Sequence, residues 1–186
     1  PNDIKGSKIS FWNKKIFNHI KAGADQASID LAKEKGPCPD AEEYGIMERF
    51  SNKTAVAPTA SISIICGGSS PGIEPIAANV YAHKTLSGTF TVRNRHLKIL
   101  LQEKNQDNDE VWLSILSNGG SVQHLDFLSD HEKDVYKTAF EIDQRWLIDL
   151  AGDRSEMIDQ AQSLNVFLPA DSDKAIDFLT EAAKMP

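Results

Sequence analysis

Three observations predict a helix-rich α/β fold. Five stretches carry apolar residues at the three- and four-residue steps of an amphipathic helix. Two short runs between them read as strands, and glycines or helix-capping residues mark the junctions. Helices alternating with few, short strands are the pattern of layered α/β packing.

The first helix spans Phe11 to Leu31, with Ile16, Ile20, Ala24, Ala27 and Leu31 on one face and Gly36 as its stop. Residues 36–52 hold Pro37, Pro39, Gly45 and several acids, and read as an irregular connection. Thr54 to Ala57 is expected to be a short buried strand that delivers the chain to a turn at Pro58. Asn94 opens a helix through Leu97, Leu100 and Leu101. After a polar break from Lys104 to Glu110, a short helix contains Trp112 and Leu116 and ends at Asn118-Gly119-Gly120-Ser121. Ser129-Asp130-His131-Glu132 is a capping box. The helix it opens is expected to run through Val135, Ala139, Ile142, Trp146 and Leu150 and to close at Gly152. Ile158 to Leu168 alternates polar and apolar residues as a strand does, and Asp171 or Ser172 starts a last helix through Ile176, Leu179 and Ala183. There is no internal repeat.

At 186 residues the chain has one domain's worth of length and can bury a real core. Its net charge of −7 argues against a nucleic-acid footprint, which needs a basic patch or stripe. No apolar run approaches a membrane span and no basic-then-apolar leader is seen, so neither a membrane partner nor a signal peptide is expected. Two cysteines, Cys38 and Cys66, make no disulfide framework, and a reducing cytoplasm fits best. The chain opens on Pro1 rather than Met and stops at Met185-Pro186 in mid-pattern, which reads as a fragment.

The chemistry concentrates in Ala57-Pro58-Thr59-Ala60-Ser61-Ile62-Ser63 and the Gly/Ser/Pro-rich stretch through Glu74-Pro75. Small side chains let backbone N–H groups approach an oxyanion closely, and hydroxyls at Thr59, Ser61 and Ser63 add donors. A proline at the entry of a helix aims the unsatisfied amides of its first turn at such a ligand. The competing reading is that Thr59 or Ser61 only caps a helix. The histidines lack ligand spacing, so no metal site is expected. Cys66, after Ile64-Ile65, reads as a small buried hydrophobe, and Trp12, Trp112 and Trp146 as core or interface fillers on helices.

Pro58-Thr59-Ala60-Ser61-Ile62-Ser63 with Gly72-Ile73-Glu74-Pro75 resembles the large (alpha) subunit of class I ribonucleotide reductase. Further blocks follow in order: Tyr81 to Phe90 with Val92-Arg93-Asn94, Phe140-Glu141-Ile142-Asp143-Gln144-Arg145, and Ile158-Asp159-Gln160-Ala161-Gln162-Ser163-Leu164-Asn165. Leu31 to Pro39 fits the helix end that precedes the turn.

The resemblance implies that residues 1–186 are one fragment from the C-terminal half of a ten-stranded α/β barrel, with a phosphate turn near 57–75 and a last strand near 158–168. It implies reduction of ribonucleoside diphosphates by radical chemistry in the whole subunit. Thr59, Ala60, Ser61, Ile62 and Ser63 would bind the substrate phosphates, and Glu74, Gln160, Gln162 and Asn165 would support them. No catalytic residue is expected in this chain, because the radical cysteine of the family lies in an Asn-x-Cys-x-Glu pattern that does not occur here. Ile62 stands where family members often carry a hydroxyl, and the family's C-terminal Tyr-Tyr pair does not follow Leu168; Asp177 to Lys184 departs from the pattern. The expected partners are the rest of the alpha chain, a second alpha subunit and a beta subunit holding a dinuclear metal and radical cofactor. A noncatalytic, reductase-derived assembly module is the alternative.

Overall fold

The computed structural model describes residues 8–66, 70–86, 88–168 and 172–183. They fall into two compact units, Glu74–Asp143 and a second made of Pro1–Ile73 with Gln144–Pro186.

In the two-segment unit, α1 (Lys8–Lys35) is longer than its apolar periodicity indicates. It ends at Gly36, whose φ of 82° is left-handed and whose N–H bonds to the Ala32 carbonyl at 2.9 Å. The connection after it contains a short helix, α2 (Pro39–Glu43), with proline in its first turn. Then come α3 (Ala60–Ile65), α7 (Arg145–Ser155) and α8 (Ser172–Ala182). Helix α7 packs on α1, where Lys14 lies 3.0 Å from Asp153 and the Asn13 amide donates to the Leu150 carbonyl at 2.8 Å. Gly152 does not close α7, which continues to Ser155.

Two expected strands of this unit shrink to one parallel bridge, Val56 with Gln162. Pro58 has no N–H with which to extend the pairing, and the Asp159 carboxylate instead of a second strand takes the amides of Lys53 and Thr54.

In the other unit, β1 (Val80–Thr85) and β2 (Gly88–Arg93) form an antiparallel hairpin in which Val80 faces Arg93 and Thr85 faces Gly88. It is followed by α4 (Arg95–Glu103), α5 (Asp109–Ser117), α6 (Asp130–Val135) and a 3-10 turn, Ala139–Glu141. Asn94 caps α4 by accepting from the His96 and Leu97 amides, and Asn108 caps α5 through the Val111 amide. The core is Val80, Leu97, Leu101, Trp112, Ile115, Val122, Leu125 and Leu128.

The capping box at Ser129 forms as expected, but the helix it opens stops at Val135. A continuing helix would need the Ala139 amide to reach Val135; it bonds instead to the Ile76 carbonyl at 2.8 Å. The Tyr136 carbonyl is taken by the Asn79 side-chain amide at 2.8 Å, and Glu141 folds back on the Thr138 amide at 2.8 Å. Val135 is consequently exposed, while Ala139 is fully buried. Among the described residues no helix is long and apolar enough to cross a membrane.

Candidate functional site

Pro58 ends the pairing of Val56 and hands the chain to Thr59, directly before α3. Thr59 directs both its donors at one oxygen: its N–H and its hydroxyl reach the Pro71 carbonyl at 2.8 and 3.2 Å. The turn is thereby closed on itself. Its carbonyl accepts the Ser63 amide at 2.8 Å, so the first intrahelical bond of α3 starts from Thr59. The amides of Ala60, Ser61 and Ile62 then have no acceptor one turn back, and these residues are exposed. Ser63 is buried, and its hydroxyl donates to the Ala60 carbonyl at 2.8 Å. Of the three hydroxyls expected to add donors, those of Thr59 and Ser63 therefore serve the backbone, and Ser61 carries the exposed one. Three amides and one hydroxyl on an uncharged, small-residue turn suit an oxyanion with several acceptor oxygens.

What sets this turn in place is the segment from Lys53 to Val56, gripped by residues 157–163. The Asp159 carboxylate accepts from the Lys53 amide at 2.8 Å and the Thr54 amide at 3.2 Å, and the Asp159 amide donates to the Thr54 hydroxyl at 3.0 Å. The Gln160 amide reaches the Thr54 carbonyl at 3.1 Å, the Val56 amide the Ala161 carbonyl at 3.2 Å, and the Ser163 amide the Val56 carbonyl at 2.7 Å. Lys53 lies 2.7 Å from Asp25, an ion pair short of an aligned hydrogen bond, and 2.6 Å from Glu48. Burial pulls the Lys53 pKa down, but those two carboxylates outweigh it and hold the ammonium above its ordinary value. Asp159 is held below the ordinary carboxylate value, first by the Lys53 amide and also by Lys21 and the Thr54 amide, against partial burial.

Gln162 is the point where this grip meets α7. Its carbonyl oxygen accepts from Arg154 Nε at 2.7 Å and its amide donates to the Ala151 carbonyl at 3.0 Å. Arg154 is buried, its guanidinium 5.6 Å over the Phe17 ring, and its Nη2 has no acceptor among the described residues. Burial lowers its pKa from the usual guanidinium value.

Of the sequence-predicted supporting residues, Gln160 and Gln162 lie along the segment that flanks the entry of the turn, while Gln160 and Asn165 are exposed. Glu74 is buried in the other compact unit. Asp159, Lys53 and Arg154 were not among the expected site residues. An arginine or aspartate near a helix end ordinarily reads as solvated, and nothing local marks these as fasteners. Cys66 is exposed rather than buried, on a short helix end whose Ile62 and Ile65 are exposed too while Ser63 faces inward. Among the described residues no three His, Cys, Asp or Glu side chains are grouped to hold a metal ion. A polar groove of about 440 Å³ along α1 and α7 is lined by Lys14, Lys21, Asp153 and Glu156 and includes none of Thr59–Ser63.

Comparison with known proteins bears on the family and the fold. Residues 40–183 match the family model described as ribonucleotide reductase, barrel domain. The chain is 44% identical over 172 residues to the ribonucleoside-diphosphate reductase large subunit of Invertebrate iridescent virus 3, covering 91% of this chain and 27% of that protein. It is 48% identical over 166 residues to the large subunit of Invertebrate iridescent virus 6, covering 87% of this chain and 17% of that one. The solved class Id ribonucleotide reductase alpha subunit of Actinobacillus ureae superposes with a TM-score of 0.82 at 38% identity, over 94% of this chain and 32% of that chain. The chain thus spans between 17% and 32% of the length of these relatives. With the family's barrel-domain model matched across most of its length and the fold superposing on an alpha subunit, the chain belongs to the ribonucleotide reductase large-subunit family, within the barrel domain.

Proposed function

We propose that this chain supplies the substrate phosphate-binding turn and part of the barrel wall of a ribonucleoside-diphosphate reductase large subunit, and does not catalyse alone. The observation that carries this reading is the first turn of α3: Ala60, Ser61 and Ile62 offer amides without helical acceptors, on a turn closed by Thr59 and Pro71. The helix dipole and aligned N–H groups provide the positive potential that a diphosphate needs without a lysine. Thr59 and Ser63 shape the turn, and Ser61 adds its hydroxyl. Gln160, Gln162 and Asn165 support it from the flanking segment, and Glu74 anchors the loop that follows.

In the intact cytoplasmic enzyme the remainder of the alpha chain brings the radical cysteine and the reducing cysteine pair, a second alpha subunit completes the dimer, and a beta subunit supplies the radical from its dinuclear metal centre. This chain's part is to fix the diphosphate so that the ribose 2′-hydroxyl stays where the radical chemistry occurs.

The test mixes the chain with a polypeptide covering the upstream barrel and with a beta subunit. Reductase activity is expected only in the complete mixture. Ser61→Pro, which deletes one amide and one hydroxyl from the turn, is expected to abolish it. Well-folded, associating components without activity would favour a noncatalytic assembly role.

A further inference from the structure

We propose that Arg154 is a positioning residue for the phosphate turn: through the Gln162 side chain it locks the register of residues 161–163 against Val56, three residues before Thr59. The inference rests on the reading of Thr59–Ser63 as a phosphate site.

A buried arginine with no carboxylate partner is expensive, since each unpaired donor loses its water. Arg154 is in that situation: among the described residues Gln162 is its hydrogen-bond acceptor, and Phe17 lies under its guanidinium. The bond also settles which way the Gln162 amide points. With its oxygen on Arg154 Nε at 2.7 Å, its nitrogen must face the Ala151 carbonyl, 3.0 Å away. The side chain is therefore fixed at both ends to α7. The backbone on either side of Gln162 is in turn fixed to Val56, by the Ala161 carbonyl at 3.2 Å and the Ser163 amide at 2.7 Å.

A continuous path of bonded groups thus runs from α7 to the entry of the turn, through a stretch where only one bridge residue pairs. The Gln160 amide on the Thr54 carbonyl and the Asp159 carboxylate on the Lys53 and Thr54 amides hold the chain before this bridge. The bridge itself has only its own two backbone bonds, which specify register weakly. Side-chain locking supplies what the missing ladder does not. Arg154 touches no part of Thr59–Ser63 in this path, so its influence on ligand binding is through Gln162 and Val56.

The experiment titrates the isotope-labelled chain with inorganic pyrophosphate, follows the amide signals of Ala60, Ser61 and Ile62, and records hydrogen exchange at Ser163. In the unaltered chain these three amides are expected to shift. R154M should weaken pyrophosphate binding about tenfold, the size of a coupling of roughly 1.4 kcal/mol, and speed exchange at Ser163. R154K should lose as much, because an ammonium keeps the charge but not the Nε fork. R154M/Q162L removes both partners together and keeps the fold, so it guards against a variant that merely fails to fold. Affinity unchanged in R154M or in the double variant, with Ser163 still protected, would overturn the proposal. So would full affinity in R154K, which would make the effect one of charge at a distance. If the unaltered chain gives no response at Ala60–Ile62, the phosphate reading itself fails and this inference falls with it.

Discussion

One carboxylate oxygen of Asp159 holds two successive amides, those of Lys53 and Thr54, which a second strand cannot do because successive strand amides point to opposite sides. Asp159→Asn keeps an acceptor but loses the charge, and is expected to cost about 1 kcal/mol in a denaturant titration, since bonds to a charged group are worth more than neutral ones but this one is partly exposed. The same residue predicts an acid limb. Its pKa is lower in the folded chain than the ordinary 3.8, so its contribution is complete above that value and is lost as pH falls through the lowered one. Thermal unfolding from pH 6 down to pH 2.5 should show a drop that Asp159→Asn flattens. At this scale the sequence was partly legible. The small hydroxyl residues of the turn stood out, yet the acceptor that claims the Thr59 hydroxyl is a carbonyl 12 residues on, and no local pattern announces it. Arg154 and Asp159 were hidden for the same reason, because their partners are set by tertiary placement.

Elements with a local cause were read well. Gly36 stops α1 with a left-handed φ, Asn94 caps α4, and Ser129 opens α6 with its capping box. Ser129→Ala should lower the stability of the Glu74–Asp143 unit by about 1 kcal/mol, seen as a lower urea midpoint. Glu132 is held at a pKa of about 2 first by the Ser129 amide and then by Lys104, both of which alanine leaves in place. Loss of the Ser129 hydroxyl should therefore raise it only part of the way towards its ordinary 4.5, which carboxylate NMR would show. Elements whose cause is distant were misread. The apolar spacing from Val135 to Leu150 is helical, but the Ile76 carbonyl and the Asn79 side chain take the backbone groups that a single helix would use. The hairpin Val80–Arg93, for which no strand was expected, has β-branched and aromatic residues on both arms, the composition that favours strands. Gly120 is an element-scale constraint of another kind. Its φ is +82° and a Cβ would sit 2.4 Å from Ala78 Cβ, so Gly120→Ala should destabilise by more than about 2 kcal/mol.

At the level of the whole chain, the α/β class and the helix-rich balance were legible in sequence, whereas the division into two compact units was not, since the Gly/Ser/Pro-rich stretch before Glu74 reads as part of the turn and nothing marks Gln144. The chain spans less than a third of the length of these relatives, and α1 leaves Ile9, Trp12, Ile16 and Ile20 about half exposed along one side. The isolated chain should therefore self-associate on concentration, and Ile16→Lys with Ile20→Lys should keep it dispersed in light scattering without lowering its melting temperature. Asn79 carries a consequence of a different sort. It is buried, donates to the Gly120 and Tyr136 carbonyls at 3.0 and 2.8 Å, and accepts from the Asn94 side chain at 2.9 Å, joining segments up to 57 positions apart. Such a junction can close only after the hairpin, α5 and the end of α6 have met, which places it late in time rather than early. Asn79→Ala should then leave the refolding rate of this unit nearly untouched and steepen its loss, raising the unfolding rate roughly tenfold or more in a stopped-flow experiment. What Asn79 sets is how long the folded unit lasts once formed.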